Sequence, residues 1–184
     1  MVNETVFDQF PLLHTPRLSL RDIRLEDAEA ILTMRSNGMV NRFIPRPAMN
    51  DIENARQLVD RTRQAFEQRQ AIGFAGVLRD RPSIVGTCGL MNIEIEHRHA
   101  EIGGEMATEY WGKGIAQEAF EEIIRFGLEE MKLHTIEAKV NPDNRGAVHL
   151  LENRGFIREG YFKDRGFFNG RYQDMAIYTL FGTA

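Results

Sequence analysis

The sequence predicts an α/β fold, a single domain built on one mixed sheet with helices packed against it. Three observations predict this. Stretches of period-two patterning and stretches of helical patterning follow one another as strand, two helices, an antiparallel run of strands, helix, strand, helix, two strands. The 184 residues, 42% of them hydrophobic, make one domain of ordinary size with enough apolar material for a core. No internal repeat, low-complexity tract or linker divides the chain.

Residues 1–14 read as a lead-in segment, and Arg17 to Arg21 alternates as a strand. A helix is expected from Leu25 to about Ser36, with Ala28, Ile31, Leu32 and Arg35 at helical steps and Asn37-Gly38 as its stop. Pro45 and Pro47 make the segment from Met39 to Met49 a loop. Asn50 is expected to cap a second helix running to about Gln70, with Ala55, Leu58, Val59, Thr62 and Phe66 turned inward. Ile72 to Leu78 and Ile84 to Met91 form a hairpin across Arg79-Asp80-Arg81-Pro82. Ile93, Ile95 and then Ala100 to Ala107 continue the sheet, leaving His97-Arg98-His99 in a loop. An amphipathic helix follows, marked by Ala116, Ala119, Phe120, Ile123, Ile124, Gly127, Leu128 and Met131. Thr135 to Val140 is a strand, and Asn144 heads a helix of about Arg145 to Asn153 that Gly155 ends. Phe156 to Phe162 and Tyr172 to Phe181 are the last strands, separated by a loop from Gly166 to Arg171.

A net charge of -4 and a pI near 5.8 argue against a general nucleic-acid binder, which needs a basic surface. Cys88 is the single cysteine, so no internal disulfide forms. No signal-peptide pattern opens the chain and no apolar run reaches membrane-spanning length, so the expected location is the cytoplasm, with no membrane partner. The five histidines show no metal-site spacing, and no metal is expected.

The chemistry concentrates at Glu105 to Phe120, where a strand passes through Gly112-Lys113-Gly114 into a helix. A helix start carries N–H groups without intrahelical partners and the positive end of the dipole. Glycines there let an anion approach those groups, so the turn reads as a phosphate site. It is not a P-loop, because the upstream glycine and the hydroxyl after Lys113 are absent. It is not a dinucleotide fingerprint either, because Gln117 stands where the third glycine belongs.

Ala100-Glu101-Ile102-Gly103 followed by Tyr110-Trp111-Gly112-Lys113-Gly114-Ile115-Ala116 resembles the acetyl-CoA signature of the GNAT N-acetyltransferases. Asn144 to Phe156 resembles a block of the branch that contains the ribosomal-protein N-terminal alanine/serine acetyltransferases. Thr15-Pro16-Arg17-Leu18 and Gly170-Arg171-Tyr172-Gln173-Asp174 also fit that branch. The resemblance implies a GNAT-type fold, a mostly antiparallel mixed sheet splayed between two central parallel strands and flanked by about four helices. It implies acetyl-CoA as co-substrate. The amides of Gly112, Lys113, Gly114, Ile115 and Ala116 would hold its pyrophosphate, Met106 and Ala107 would pair with its pantetheine arm, and Asn144 would hydrogen-bond it. Phe43 would line the acceptor cleft, and Trp111 reads as a packing anchor beside the turn.

The implied reaction is direct attack of a neutral amine on the thioester in a ternary complex. Glu101 and Glu105 lie on one face of their strand. Glu101 matches the position of a family base and is the first candidate, with Glu105 second. The general acid is a departure: Ala147 and Leu151 replace the family's Ser and Tyr, leaving Tyr161, Tyr172, Cys88 or water. The expected acceptor is a protein N-terminal α-amine, with a ribosomal protein as partner. The alternatives are a small amine such as a polyamine, amino acid or drug, or a CoA-binding sensor without efficient catalysis. Whether the chain forms a homodimer or a higher oligomer stays open.

Overall fold

The computed structural model describes residues 1–81, 83–168 and 170–182. Pro82 of the expected first hairpin turn and Asn169 of the expected last loop lie outside the described residues. In chain order the elements are β1 (Leu13–His14), β2 (Leu18–Asp22), α1 (Ala28–Ser36), α2 (Ile52–Glu67), β3 (Ile72–Leu78), β4 (Ile84–Glu94), β5 (His99–Met106), α3 (Ile115–Arg125), β6 (Thr135–Val140), α4 (Arg145–Glu152), β7 (Ile157–Phe168) and β8 (Arg171–Phe181). Among the described residues the strands form one 8-stranded sheet in the order β1-β2-β3-β4-β5-β6-β8-β7. Every neighbouring pair is antiparallel except β5 with β6.

Strand alternation sends side chains to two layers. Leu18, Leu20, Phe74, Leu90, Ala100, Ile102 and Ile136 pack with Ile123 of α3 and Leu151 of α4. Ala75 and Ile84 pack with Ala28 and Ile31 of α1 and Ala55 and Val59 of α2 on the opposite face. Ala100 and Ile102 of β5 therefore face α3, and the intervening Glu101 and Glu105 face the side of α1 and α2.

The feature that positions the site is a fork. β5 and β6 pair only at His99–Thr135, Ala100–Ile136 and Glu101–Glu137. Beyond Glu101, β5 stays on β4 up to Met106, while β6 stays on β8 up to Val140. Each strand keeps its antiparallel partner, the slightly stronger kind per residue, and the weaker parallel ladder is the one given up. The expected splay between two parallel strands is thus present.

Several boundaries differ from expectation. Asp51, not Asn50, caps α2, accepting the Glu53 N–H at 3.0 Å; its charge faces the positive end of the helix. That helix stops at Glu67 because Arg69 turns left-handed (φ 59°), with no glycine to announce it. Leu58, Thr62 and Phe66 are only half-buried. His99 belongs to β5 instead of the preceding loop. The expected loop Gly166 to Arg171 is mostly strand, since Gly166, Phe167 and Phe168 pair with Gln173, Tyr172 and Arg171. Aromatic side chains there favour the ladder over the turn signal of two glycines. After Arg125, α3 runs into a π-helical turn, Phe126–Glu130, that buries Phe126 against Phe74.

Candidate active site

Gly112 and Gly114 both adopt left-handed φ, +71° and +73°. Gly114 is the N-cap of α3, and among the described residues no side chain caps it. The first intrahelical bond runs from the Glu118 N–H to the Gly114 carbonyl, so the N–H groups of Ile115, Ala116 and Gln117 precede the ladder. A Cβ on Gly112 would meet nothing within 4 Å. The turn is held from behind. The Arg17 guanidinium donates to the Lys113 carbonyl at 2.9 Å and to Glu118 at 2.7 Å, and Thr15 also donates to Glu118. On this side a cleft of about 450 Å³ is lined by Arg17, Arg79, Arg81, Tyr110, Lys113 and Glu109, among others.

The fork supplies backbone groups. The Ala107 N–H turns to β4, donating to Val85 O at 2.9 Å, and the Glu105 carbonyl also lies against β4, at Gly86. Alternation therefore aims the N–H and C=O of Gly104 and Met106 into the fork. The Met106 carbonyl accepts the Trp111 indole N–H at 2.9 Å. Trp111 is half-exposed, 49%, so the expected packing anchor is a polar clasp at the end of β5.

The two carboxylates are treated differently. The Glu105 side chain is only 4% exposed and both its oxygens are taken. Arg35 of α1 (2.6 Å) and Thr87 (3.2 Å) donate to Oε1, and Arg46 donates to Oε2. Glu101 sits where the strands part. Lys139 of β6 (2.6 Å) and Asn92 (2.8 Å) both donate to its Oε1, and among the described residues no donor reaches Oε2. The hydrogen bond to Glu101 holds the Lys139 ammonium above its usual pKa.

A second cleft, about 150 Å³, is lined by Phe43, Asn141, Asp143, Arg171, Tyr172, Gln173 and Asp174. Phe43 and the Asp174 region, far apart in sequence, meet here. Asn144 caps α4 by accepting the Ala147 N–H at 3.2 Å. Of the proton-donor candidates, Tyr161 donates to Asp174, which raises the pKa of its phenol, and Tyr172 lies against Phe167 with the two rings tilted by 59°. Cys88 is half-buried as a residue, but desolvation of the thiol pushes it up to about 12. A thiolate nucleophile is disfavoured there at neutral pH.

Sequence reasoning missed Arg35, Lys139 and Asp143 as parts of the site, placed Arg46 beside Phe43 without its tie to Glu105, and gave Asp174 no role. The Gly170 to Asp174 motif was a visible signal, but only folding shows what it faces. Among the described residues no group of three or more His, Cys, Asp or Glu is placed to hold a metal ion, and no helix is long and apolar enough to cross a membrane.

A glycine turn before α3, a sheet forked between its parallel strands and a carboxylate at the fork define an acyltransferase-type site. The acetyltransferase (GNAT) domain family matches residues 17–157, and the chain belongs to this family, whose acyl donor is acetyl-CoA. It is similar to an uncharacterized N-acetyltransferase, p20, of Bacillus licheniformis, 33% identical over 91% of this chain and 94% of that one. Among solved structures it resembles the spermidine N-acetyltransferase of Vibrio cholerae in complex with CoA and spermine, with TM-score 0.81, 25% identity and coverage of 90% and 95%. It also shares the fold of the ribosomal-protein-S5-alanine acetyltransferase of Vibrio fischeri, with TM-score 0.80, 24% identity and coverage of 94% and 97%.

Proposed function

We propose that this acetyltransferase modifies the α-amine of a protein N-terminus, of the ribosomal-protein type, by direct attack in a ternary complex. The observation that carries the reading is the carboxylate at the fork. Glu101 offers one free oxygen where the strands part, whereas both Glu105 oxygens are held by arginines and Thr87. One such carboxylate, already bonded to Lys139, gives modest help in deprotonating an amine. At pH 7.4 about a quarter of α-amines are neutral, against about one lysine in a thousand. The α-amine is the acceptor that needs least from this site.

In this reading acetyl-CoA brings an activated thioester into the fork. The amides of Gly112, Lys113, Gly114, Ile115 and Ala116 hold its pyrophosphate, a donor set suited to phosphate oxygens. Gly104 and Met106 offer backbone groups to the amides of its arm, in the manner of an added strand. Asn144 lends its side-chain N–H₂, its oxygen being used in the cap. A fork N–H stabilises the developing oxyanion, and Glu101 takes the proton from the attacking nitrogen. Phe43 lines the acceptor cleft. Ala147 and Leu151 carry no acidic proton, so the thiolate leaves unprotonated or takes a proton from water.

A second reading rests on Asp143 and Asp174 in the acceptor cleft, which suit a polycation such as the substrate named for the Vibrio cholerae enzyme. A third, a CoA-binding sensor with little turnover, rests on Ala147 and Leu151. Release of free thiol from acetyl-CoA, measured with N-terminal peptides, polyamines and amino sugars, separates the three. Turnover with peptides alone supports the α-amine, turnover with polyamines alone replaces it, and binding without turnover leaves the sensor. Glu101→Gln is expected to lower kcat about tenfold, less than the hundredfold or more of a fully used base, because the α-amine is partly neutral. It also shifts the pH profile and leaves CoA affinity intact. An unchanged profile removes Glu101 from the mechanism.

A further inference from the structure

We propose that Arg17, outside the cofactor turn in sequence, is the positioning residue that aims the turn's amides at the cofactor's pyrophosphate; this rests on the turn being the pyrophosphate site. Arg17 stands just before β2, on the far side of the turn. Its Nη1 donates to the Lys113 carbonyl at 2.9 Å, and its Nε donates to Glu118 at 2.7 Å. Glu118 in turn accepts the Arg17 backbone N–H at 2.7 Å and the Thr15 hydroxyl, and its side chain is only 15% exposed. The guanidinium is therefore anchored to the first turn of α3 while it grips the peptide that enters it.

The grip has a directional consequence. The Lys113–Gly114 peptide is trans, since no cis bond is present among the described residues. In a trans peptide the C=O and N–H point in opposite directions. Holding the Lys113 carbonyl toward Arg17 therefore turns the Gly114 N–H away from it. Two glycines with left-handed φ have many alternatives open to them and no side chain to choose among them. Among the described residues the one side-chain hydrogen bond to the turn's backbone is the one from Arg17. Without it the turn keeps its sequence and loses its aim, and the ordering entropy falls on the ligand.

The test compares two donors. Acetyl-CoA carries the pyrophosphate and S-acetyl-pantetheine does not. Wild-type protein, Arg17→Gln and Arg17→Lys are assayed with both, and CoA and pantetheine binding is followed by fluorescence of Trp111, the single tryptophan. Arg17→Gln is expected to raise KM for acetyl-CoA and the Kd for CoA about tenfold, the equivalent of one lost contact of about 1.4 kcal/mol. KM for S-acetyl-pantetheine stays within about twofold. Arg17→Lys, which can keep the ion pair with Glu118 but cannot hold both partners, recovers the thermal stability without recovering the CoA affinity. Equal weakening of both donors, or full rescue of affinity by lysine, overturns the positioning role. A wild-type protein that binds pantetheine as tightly as CoA instead overturns the pyrophosphate reading itself.

Discussion

The two ends of the fork are built from different materials. At the proposed cofactor end the groups are backbone: the amides before and within the first turn of α3 and the strand edge at Gly104 and Met106. At the proposed acceptor end they are side chains gathered from distant segments: Phe43 before α2, Asp143 before α4, and Arg171 to Asp174 on β8. Between the ends, Glu105 on β5 is tied to Arg35 and Arg46, and Arg46 is tied to Asn41. The segment carrying Phe43 is thereby latched to the strand that edges the fork. A backbone site tolerates sequence change except at its glycines and supports. A side-chain site can be retuned by single substitutions, which fits a family whose named members take different amines.

Breaking the latch gives the largest expected effect. Glu105→Ala leaves two guanidinium groups, each about one-fifth exposed, without their carboxylate. Removing one partner of a buried pair costs about 3–5 kcal/mol, roughly 10 °C in Tm for a domain of this size. Acceptor KM rises more than acetyl-CoA KM. A Tm change below roughly 3 °C would show that the latch holds nothing.

Gly114→Val attacks the other end. A β-branched residue at φ +73° is strained by about 1–3 kcal/mol, so CoA affinity falls on the order of ten- to a hundredfold by titration calorimetry. Acceptor KM in the same variant stays close to wild type. If both constants move together, the two ends are not separately built.

The smallest effect sharpens the support of the cofactor end. Burial pushes the Glu118 carboxyl up, but hydrogen bonds from Thr15 and Arg17 outweigh it and hold its pKa below the usual value. A carboxyl lowered in the folded state adds stability above its unfolded value, roughly 4.3, and loses it as pH falls through the folded value. Glu118→Gln is expected to cost about 1 kcal/mol or less at neutral pH, since Arg17 is half-exposed. Its Tm then falls less steeply than wild type below roughly pH 4. A parallel acid limb would mean that Glu118 stays neutral or unpaired.

Most strands and helices were legible because burial imposes their periods directly on the residues: Thr135 to Val140 was read to the residue. The misreadings came where local signals competed. Gly166 and Gly170 advertised a loop, while Phe167 and Tyr172 paired across it. Asn50 was the expected cap, but the helix starts one residue later and is capped by Asp51. Trp111 read as a packing anchor beside the turn, but its indole had a carbonyl to reach.

By itself the sequence determined the mixed α/β order, the family and the glycine turn. Each of these is a short-range property: periodicity, or residue types at close spacing that a helix start needs. Tertiary structure alone decided that Glu101 keeps a free oxygen while Glu105 does not, that Arg17 stands behind the turn, and that Phe43 meets Asp174. Those facts depend on contacts between residues 70, 101 and more than 100 positions apart. Spacing along a chain carries no information about such partners until the sheet brings them together.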